Sequence, residues 1–285
     1  STPCATFKGM FLKDDFLDSR VVWVTNDTFD LGPYPYTLTK SIEFWGGWDP
    51  TFTNRIGSTN LLGGFDVQDG AVIAIDKFVM APSTGYLLPI RVGLNVDDST
   101  LIVSNSIIQN FTLGIDAWNS NTIVSNSAII NNSGTSMGGG IYNSDGMLTI
   151  VNSTISGNGD PNITVGGGVH TFNSVVNIYS TTIARNSGKQ AGGIYALGTV
   201  ALANTLIVGN RASSGAKYGP DCSGVLVSRG SNLIGNLGLP GVSGDYPCRG
   251  DWTHSDILGD NAKPILVQNT LSTTLTLDPT TGQYY

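Results

Sequence analysis

Ionisable side chains are scarce in this sequence. Charged residues make up 12% of the 285 positions, with only 14 Lys or Arg against 21 Asp or Glu. The formal net charge at pH 7 is −7, and no run of basic residues appears. Because phosphate groups are bound by clustered Lys and Arg, this composition argues against a nucleic acid as partner.

Metal-ligating and membrane-spanning patterns are missing too. Only two His, His170 and His254, and three Cys occur, and none has the spacing of a zinc ligand pair. No apolar run reaches the ~18–20 residues that cross a bilayer. No charged-then-apolar signal segment opens the chain, and Ser1-Thr2-Pro3-Cys4 is typical of a mature start left after cleavage. We therefore expect an extracellular or cell-surface protein without a membrane span.

A degenerate repeat occupies the middle of the chain, where five apolar strands each end on an Asn or Ser. These end residues lie 21, 26, 28 and 24 positions apart, at Asn105, Asn126, Asn152, Ser180 and Asn204. A drifting period of 20–30 residues is typical of a solenoid with loops of variable length. Within each strand the apolar residues alternate, as a β-strand with one buried face requires. Apolar spacings of 3 and 4, which would indicate helices, are not sustained.

Two more columns complete each repeat. Three residues after the strand end comes an Ile, at Ile108, Ile129, Ile155, Ile183 and Ile207. A Gly followed by a β-branched residue precedes each strand, as in Gly140-Ile141 and Gly168-Val169. Three short strands per turn predict an all-β, single-stranded, right-handed parallel β-helix of about ten coils. We assign residues 1–36 to an N-terminal cap, 37–261 to the β-helix and 262–285 to an extended C-terminal tail.

Asn residues recur at the corners of this predicted solenoid. Asn tolerates the left-handed backbone of a tight corner, and its amide can bond the same amide in the next turn. One ladder is predicted from Asn105, Asn126, Asn152 and Asn204, with Ser180 in the remaining place. A second is predicted from Asn110, Asn132, Asn158, Asn186 and Asn210.

Short motifs resemble those of a known group of proteins. The segments Gly138-Gly139-Gly140-Ile141-Tyr142-Asn143, Gly166–His170, Asp221–Ser228, Ser231–Asn236 and Asp256–Asn261 are similar to repeats of bacterial secreted β-helix proteins of the polymorphic outer-membrane and choice-of-anchor Q types. The resemblance covers residues 37–261 and implies a pectate-lyase-like fold. The chain departs from it at residues 262–265, where Ala-Lys-Pro-Ile replaces the usual Gly-Gly-Pro-Thr. The group shares no catalytic motif that can be transferred to this chain.

One cysteine pair fits the repeat. Cys222 and Cys248 are 26 residues apart, close to one coil, so we predict a disulfide across adjacent turns and an oxidising compartment. Cys4 is left over, either as a free buried thiol or as a link to another chain.

The best candidate for a ligand site is an outward column on consecutive turns: Asp116, Tyr142, His170 and Tyr195. A flat aromatic strip with a carboxylate at one end could stack sugar rings. The alternative is that these rings pack on one another and stabilise the solenoid.

Catalytic and metal-binding constellations are weak. Asp116 and Asp145 form the nearest approach to a glycosidase pair, and no column joins several carboxylates to an Arg, as a calcium-dependent lyase would need. Asp251, Asp256 and Asp260 could hold Ca²⁺, but solvated turn carboxylates are the favoured interpretation. The sequence therefore names no catalytic residue and no cofactor, and it leaves enzymatic activity open without favouring it.

These observations favour a non-catalytic structural role. We expect a subunit of an extracellular filament-like assembly or an adhesin that self-associates through the solenoid ends and the C-terminal tail. The alternative is a β-helix protein that binds or degrades polysaccharide.

Overall fold

A computed structural model describes residues 20–84, 92–214, 219–238, 248–260 and 263–265. All regular structure in these ranges is β, and the strands are numbered β1 to β27 in chain order. The chain passes repeatedly over three faces of a parallel solenoid, called A, B and C below.

Face A carries the longest strands and has ten of them. They are β1 (Arg20–Thr25), β4 (Ile42–Trp48), β7 (Val72–Asp76), β10 (Thr100–Ser104), β13 (Asn121–Ser125), β16 (Met147–Val151), β18 (Val169–Tyr179), β21 (Ile194–Ala203), β24 (Cys222–Ser228) and β26 (Cys248–Asp251).

Face B is a separate sheet, also of ten strands. They are β2 (Thr28–Asp30), β5 (Thr59–Leu62), β8 (Phe78–Ala81), β11 (Ile107–Gln109), β14 (Ala128–Ile130), β17 (Thr154–Ser156), β19 (Thr182–Ala184), β22 (Leu206–Val208), β25 (Leu233–Ile234) and β27 (Ile257–Leu258).

Face C contains β3 (Tyr36–Leu38), β6 (Phe65–Val67), β9 (Val92–Asp97), β12 (Leu113–Trp118), β15 (Ile141–Ser144) and the first parts of β18, β21 and β24. A small ladder, β20 (Ser187–Gly188) with β23 (Arg211–Ala212), lies outside the three faces. All three faces are thus present in about eight turns, while faces A and B reach the ten that the sequence predicted.

The interior is filled by aliphatic columns. The predicted Ile column is confirmed, because Ile108, Ile129, Ile155, Ile183 and Ile207 pair in direct register on face B and are fully buried. Leu148, Val176 and Val200 form a similar column on face A. The alternation of the sequence therefore sets which side of every strand faces the core.

Left-handed residues turn the chain at the corners. Between faces A and B the φ values of Asn105, Asn126, Asn152, Ser180 and Asn204 lie between 48° and 56°. Between faces C and A the same place is taken by Asp98, Asn119, Asp145 and Asn173, with φ between 46° and 55°. The interpretation of the first Asn column as corner residues is confirmed.

The second Asn ladder is one residue off at its start. Asn110 is an exposed left-handed corner residue whose counterpart in the next turn is Asn131, and their φ values are 63° and 55°. The buried ladder begins one position later, where the backbone N–H of Phe111 donates to Oδ1 of Asn132 at 3.0 Å. Asn110 therefore belongs to the corner and not to the ladder.

At its ends the solenoid departs from the domain boundaries predicted from the sequence. Strand β1 pairs in parallel with β4 and β2 with β5, so residues 20–30 already form a turn although they fall in the predicted cap. Residues 1–19 of that cap, and residues 266–285 of the predicted tail, lie outside the described residues. Ile265 is buried, and its N–H donates to the carbonyl of Gly235.

The predicted disulfide is present. Cys222 on β24 and Cys248 on β26 are bonded, with their Cα atoms 5.1 Å apart. Cys222 pairs with Ile194 and continues an inward column of face C, so the bond lies in the core.

Replacing both cysteines by small apolar residues, Cys222→Val with Cys248→Ala, is expected to lower the free energy of unfolding by about 3–4 kcal/mol. The reason is that a cross-link closing a loop of about 26 residues removes that much chain entropy from the unfolded state. Urea unfolding followed by circular dichroism measures the loss. Reduction of the natural chain should shift its midpoint similarly, and an unchanged midpoint in reductant would contradict the prediction.

Candidate functional site: an outward column on face C

The predicted column of polar and aromatic side chains is confirmed in its register. Asp116 pairs with Tyr142, Tyr142 with His170, and His170 with Tyr195, each on the neighbouring turn. The column extends beyond the prediction at its N-terminal end, where Asn95 pairs with both Asp116 and Asp66.

The aromatic rings of the column meet edge to face. The centroid of Tyr142 lies 5.1 Å from that of His170 at an interplanar angle of 79°, and His170 lies 5.1 Å from Tyr195 at 89°. Trp118, which sequence reasoning did not include, lies 5.2 Å from Tyr142. The expectation of a flat strip is therefore wrong, because alternate rings are turned nearly perpendicular.

Loops before the strands cover the middle of the column. Tyr142 is only 4% exposed and His170 only 7%. Nδ1 of His170 donates to the backbone carbonyl of Met137. A Cβ added to Gly166 would lie 2.9 Å from Cβ of Tyr195 and 3.0 Å from Cβ of His170, so this loop lies against the column. The Gly-rich segments that carried the family resemblance thus allow the loops to close over the aromatic side chains.

Burial also fixes the charge state of these groups. Desolvation lowers the pKa of His170 below its ordinary value, and the hydrogen bond to Met137 opposes this only in part. Desolvation likewise raises the pKa of Tyr142, and the neighbouring carboxylates of Asp116 and Asp145 add to the rise. The middle of the column is therefore neutral at pH 7, which suits packing better than proton transfer.

Asp116 is the chemically distinctive member of the column. Desolvation raises its pKa to about 6, and the indole Nε1–H of Trp118, 2.8 Å from Oδ1, only partly offsets this. Asp145, its proposed glycosidase partner, is engaged at the corner by Ser144 and by Asn173, whose Nδ2 lies 2.7 Å from Oδ1. These bonds hold the pKa of Asp145 below its ordinary value. Of the two carboxylates that the sequence paired, Asp116 is thus a half-buried acid, whereas Asp145 is held at a corner by structural hydrogen bonds.

A buried amide ladder ends on a carboxylate. Nδ2 of Asn132 donates to Oδ1 of Asn158, Asn158 to Asn186, and Asn186 to Asn210, each at 2.9 Å. Nδ2 of Asn210 then donates to Oδ1 of Asp221 at 2.7 Å. Each backbone N–H in the series donates to the same oxygen as its side chain. All donors therefore point one way along the solenoid, toward Asp221.

A second ladder, missed by the sequence analysis, follows the corner between faces A and B. The backbone N–H of Ser106 donates to the side-chain oxygen of Ser127, that of Ser127 to Ser153, and that of Ser153 to Thr181. Further along the chain, the backbone N–H of Thr205 donates to Oδ1 of Asn232. Asn232 in turn donates to Oδ1 of Asp256 through both its backbone and its side chain. The signal was available, since Ser or Thr follows each corner Asn by one position.

Carboxylates also accept hydrogen bonds from exposed corner Asn residues. Nδ2 of Asn105 donates to Oδ1 of Asp76 at 2.6 Å, and Arg55 lies 2.6 Å from Oδ2 of the same group. Nδ2 of Asn119 donates to Asp98. These carboxylates thus receive hydrogen bonds that link neighbouring turns.

The proposed calcium ligands do not converge in the part of the chain that can be described. No group of three or more His, Cys, Asp or Glu side chains there could hold a metal ion. Asp256 instead accepts hydrogen bonds from Ser228, Asn232 and Thr253. Among the same residues, no helix is long and apolar enough to cross a membrane.

Comparison with known proteins identifies the repeat. The family model described as the right-handed beta helix region matches residues 89–237, just over half of the chain. Searches of curated proteins and of solved structures gave no significant match.

Proposed function

Since this chain belongs to the right-handed β-helix family, we propose that it is a non-catalytic structural module that works outside the cell and associates through the ends of its solenoid. The observation that carries the proposal is the use of the carboxylates. Asp221 and Asp256 each accept the terminal hydrogen bond of a side-chain ladder, and Asp76 and Asp98 each accept from a corner Asn of the neighbouring turn. A glycosidase or lyase needs carboxylates that face a substrate, and these face the next turn.

The disulfide supports the extracellular part of the proposal. Cys222 and Cys248 are bonded within the core, at the C-terminal end of face C. Structural disulfides form and persist in oxidising compartments, whereas cytosolic thiols are kept reduced. A bond that closes the last turns would also protect the end of the solenoid from fraying.

The end strands support association. In the described ranges β1 pairs only with β4, and β26 only with β24, so each presents one edge with no strand beside it. An unpaired parallel edge is a template for strand addition. Contact between one end and the opposite end of another copy is heterologous and would generate a filament.

Sedimentation velocity over a hundredfold range of concentration tests the proposal. We expect linear oligomers that grow with concentration and that are weakened by Val21→Lys, which places a charge on the end strand β1. Val225→Lys is the matched control, because Val225 is similarly exposed on β24, which has strand neighbours on both sides. A strictly monomeric chain, or equal loss in the two variants, would overturn the association.

We further propose that the chain belongs to the choice-of-anchor Q group and acts as an adhesin. The motifs at 138–143 and 221–236 support placement in the choice-of-anchor Q group and the adhesin role. The alternative, saccharide binding on face C, is supported by Asp116 and Trp118 at the less covered end of the column, where Trp118 is exposed.

A further inference from the structure

Tryptophan is concentrated in the first two turns. Three of the five Trp in the chain, Trp23, Trp45 and Trp48, lie on β1 and β4. Trp23 and Trp45 pair in direct register on the outer side of face A and are 49% and 38% exposed. Large indole rings side by side on a surface are a feature of binding sites, because each offers much apolar area at little entropic cost.

A β-bulge brings the third Trp to the same place. The register between β1 and β4 shifts after Trp23, so that Thr25 faces Trp48. Gly46 and Gly47 fill the bulge, and Gly47 has φ of 78°. A Cβ on Gly47 would lie 2.1 Å from the carbonyl oxygen of Gly57, so only glycine fits. Bulges commonly re-aim a side chain, and this one turns Trp48 onto Trp23.

The resulting cluster is held rigidly. The ring centroids of Trp23 and Trp48 are 4.6 Å apart with an interplanar angle of 17°. The guanidinium carbon of Arg55 lies 5.9 Å from the centroid of Trp48, and Nε of Arg55 donates to the carbonyl of Gly46 at 2.9 Å. Asp76 also holds the guanidinium through its ion pair. The rings are therefore pre-organised without a ligand.

The loop that follows β4 extends the aromatic surface. Oδ1 of Asp49 accepts hydrogen bonds from Thr51 and Thr53, and Oδ2 accepts the N–H of Asn54. These bonds, led by the one from the Thr51 side chain, keep the pKa of Asp49 below its ordinary value. The closed loop holds Phe52 at φ of 55°, with its ring 6.5 Å from that of Trp23.

The surroundings of the rings are polar and acidic. Glu43 lies beside Trp45 on the outer side of β4, and Asp76 follows Trp45 in register on β7. Arg55, which lies against the ring of Trp48, is paired with Asp76. The exposed carboxylate of Glu43 would disfavour an anionic ligand, whereas a hydroxyl group could bond it while the rings stack on C–H faces.

We propose that Trp23, Trp45, Trp48 and Phe52 form a platform that binds a neutral saccharide, with pyranose rings stacked on the exposed indoles of Trp23 and Trp45. This platform is on face A, so it is separate from the column of Asp116 on face C. The proposal does not depend on self-association of the solenoid.

Affinity electrophoresis of the full chain tests the proposal with soluble neutral polysaccharides (hydroxyethylcellulose, glucomannan, galactomannan and laminarin) and with anionic polygalacturonate. We expect retardation by at least one neutral polymer and none by polygalacturonate. Trp45→Ala should weaken the binding about tenfold, as for a Trp at the centre of a binding site, and Trp45→Tyr should retain most of it.

Tyr34→Ala is the control, because Tyr34 is an exposed aromatic residue that belongs neither to the platform nor to the column of Asp116. Its binding should equal that of the natural chain. Protection of tryptophan fluorescence from acrylamide quenching by the polymer, which should be lost in Trp45→Ala, gives a second readout that does not depend on electrophoretic mobility. The proposal is overturned if no neutral polymer retards the chain, if polygalacturonate alone does, or if Trp118→Ala and not Trp45→Ala loses binding.

Discussion

Replacing Asn158 by Leu is expected to lower the free energy of unfolding by about 4 kcal/mol. Asn158 donates to the carbonyl of Ile129 at 2.8 Å and to Asn186, and it accepts from both nitrogens of Asn132. Leu fills the volume but leaves these fully buried groups without partners, and each such loss costs about 1–3 kcal/mol. Urea unfolding monitored by circular dichroism measures the change.

Asn152→Gly provides the control for this prediction. Asn152 lies in the exposed corner ladder, where its side chain donates one hydrogen bond to Asn126. Gly adopts the left-handed backbone that Asn152 has, so we expect a loss below about 1 kcal/mol. Equal losses of unfolding free energy in Asn158→Leu and Asn152→Gly would contradict the prediction, because the buried ladder would then contribute no more to stability than the exposed one.

A second large effect is expected from Asp221. This residue is 1% exposed, and burial raises the pKa of its carboxyl to about 7. Hydrogen bonds from the backbone and side chain of Asn210 and from the backbone of Asn236 oppose the rise. The folded chain therefore holds a proton that the unfolded chain, with an ordinary Asp pKa near 3.8, releases. Between about pH 4 and pH 7 the folded state binds more protons, so stability falls as pH rises through this window, by about 4 kcal/mol.

Asp221→Asn should remove that dependence. The Asn oxygen can still accept from Asn210, so the ladder is retained while the titrating group is lost. The difference in unfolding free energy between the variant and the natural chain should grow in favour of the variant from pH 4.5 to pH 8. Taking this difference cancels the contributions of other buried groups with shifted pKa values, such as Asp116 and His170.

The control is Asp256→Asn at the end of the other ladder. Desolvation alone would raise the pKa of Asp256, but hydrogen bonds from Ser228, Thr253 and Asn232 together lower it below its ordinary value. Its stabilising contribution is therefore complete above about pH 4 and is lost only in stronger acid. A slope between pH 4.5 and pH 8 that disappears in Asp256→Asn and persists in Asp221→Asn would contradict this account.

The regular part of the fold was predictable because one physical constraint repeats. Inward Ile at 108, 129 and 155 must stack to exclude water, so their spacing directly reveals the coil. The start of the buried ladder was missed because Asn131 and Asn132 are adjacent, and either could align with Asn110. Only the backbone shows that Asn131 turns the corner while Asn132 points inward.

Irregular segments account for the remaining errors. Asp221 follows Asn210 by 11 residues, well short of a repeat, so no periodicity places it at the end of the ladder. The register of Asp116, Tyr142 and His170 followed from the repeat, but their cover comes from loops whose path depends on tertiary contacts. The bulge at Gly46 and Gly47 likewise depends on the close approach of Gly57, which cannot be predicted from the local sequence.

Hydrogen exchange of the side-chain amides tests most directly whether the polar columns serve the fold. In a nitrogen-15 labelled chain, the side-chain NH₂ groups of Asn132, Asn158, Asn186 and Asn210 should exchange with solvent as slowly as the backbone amides of the core strands, while that of Asn152 exchanges rapidly. If all five exchange at the rate of exposed amides, the buried ladder does not exist as described, and the assignment of Asp221 to its end is wrong.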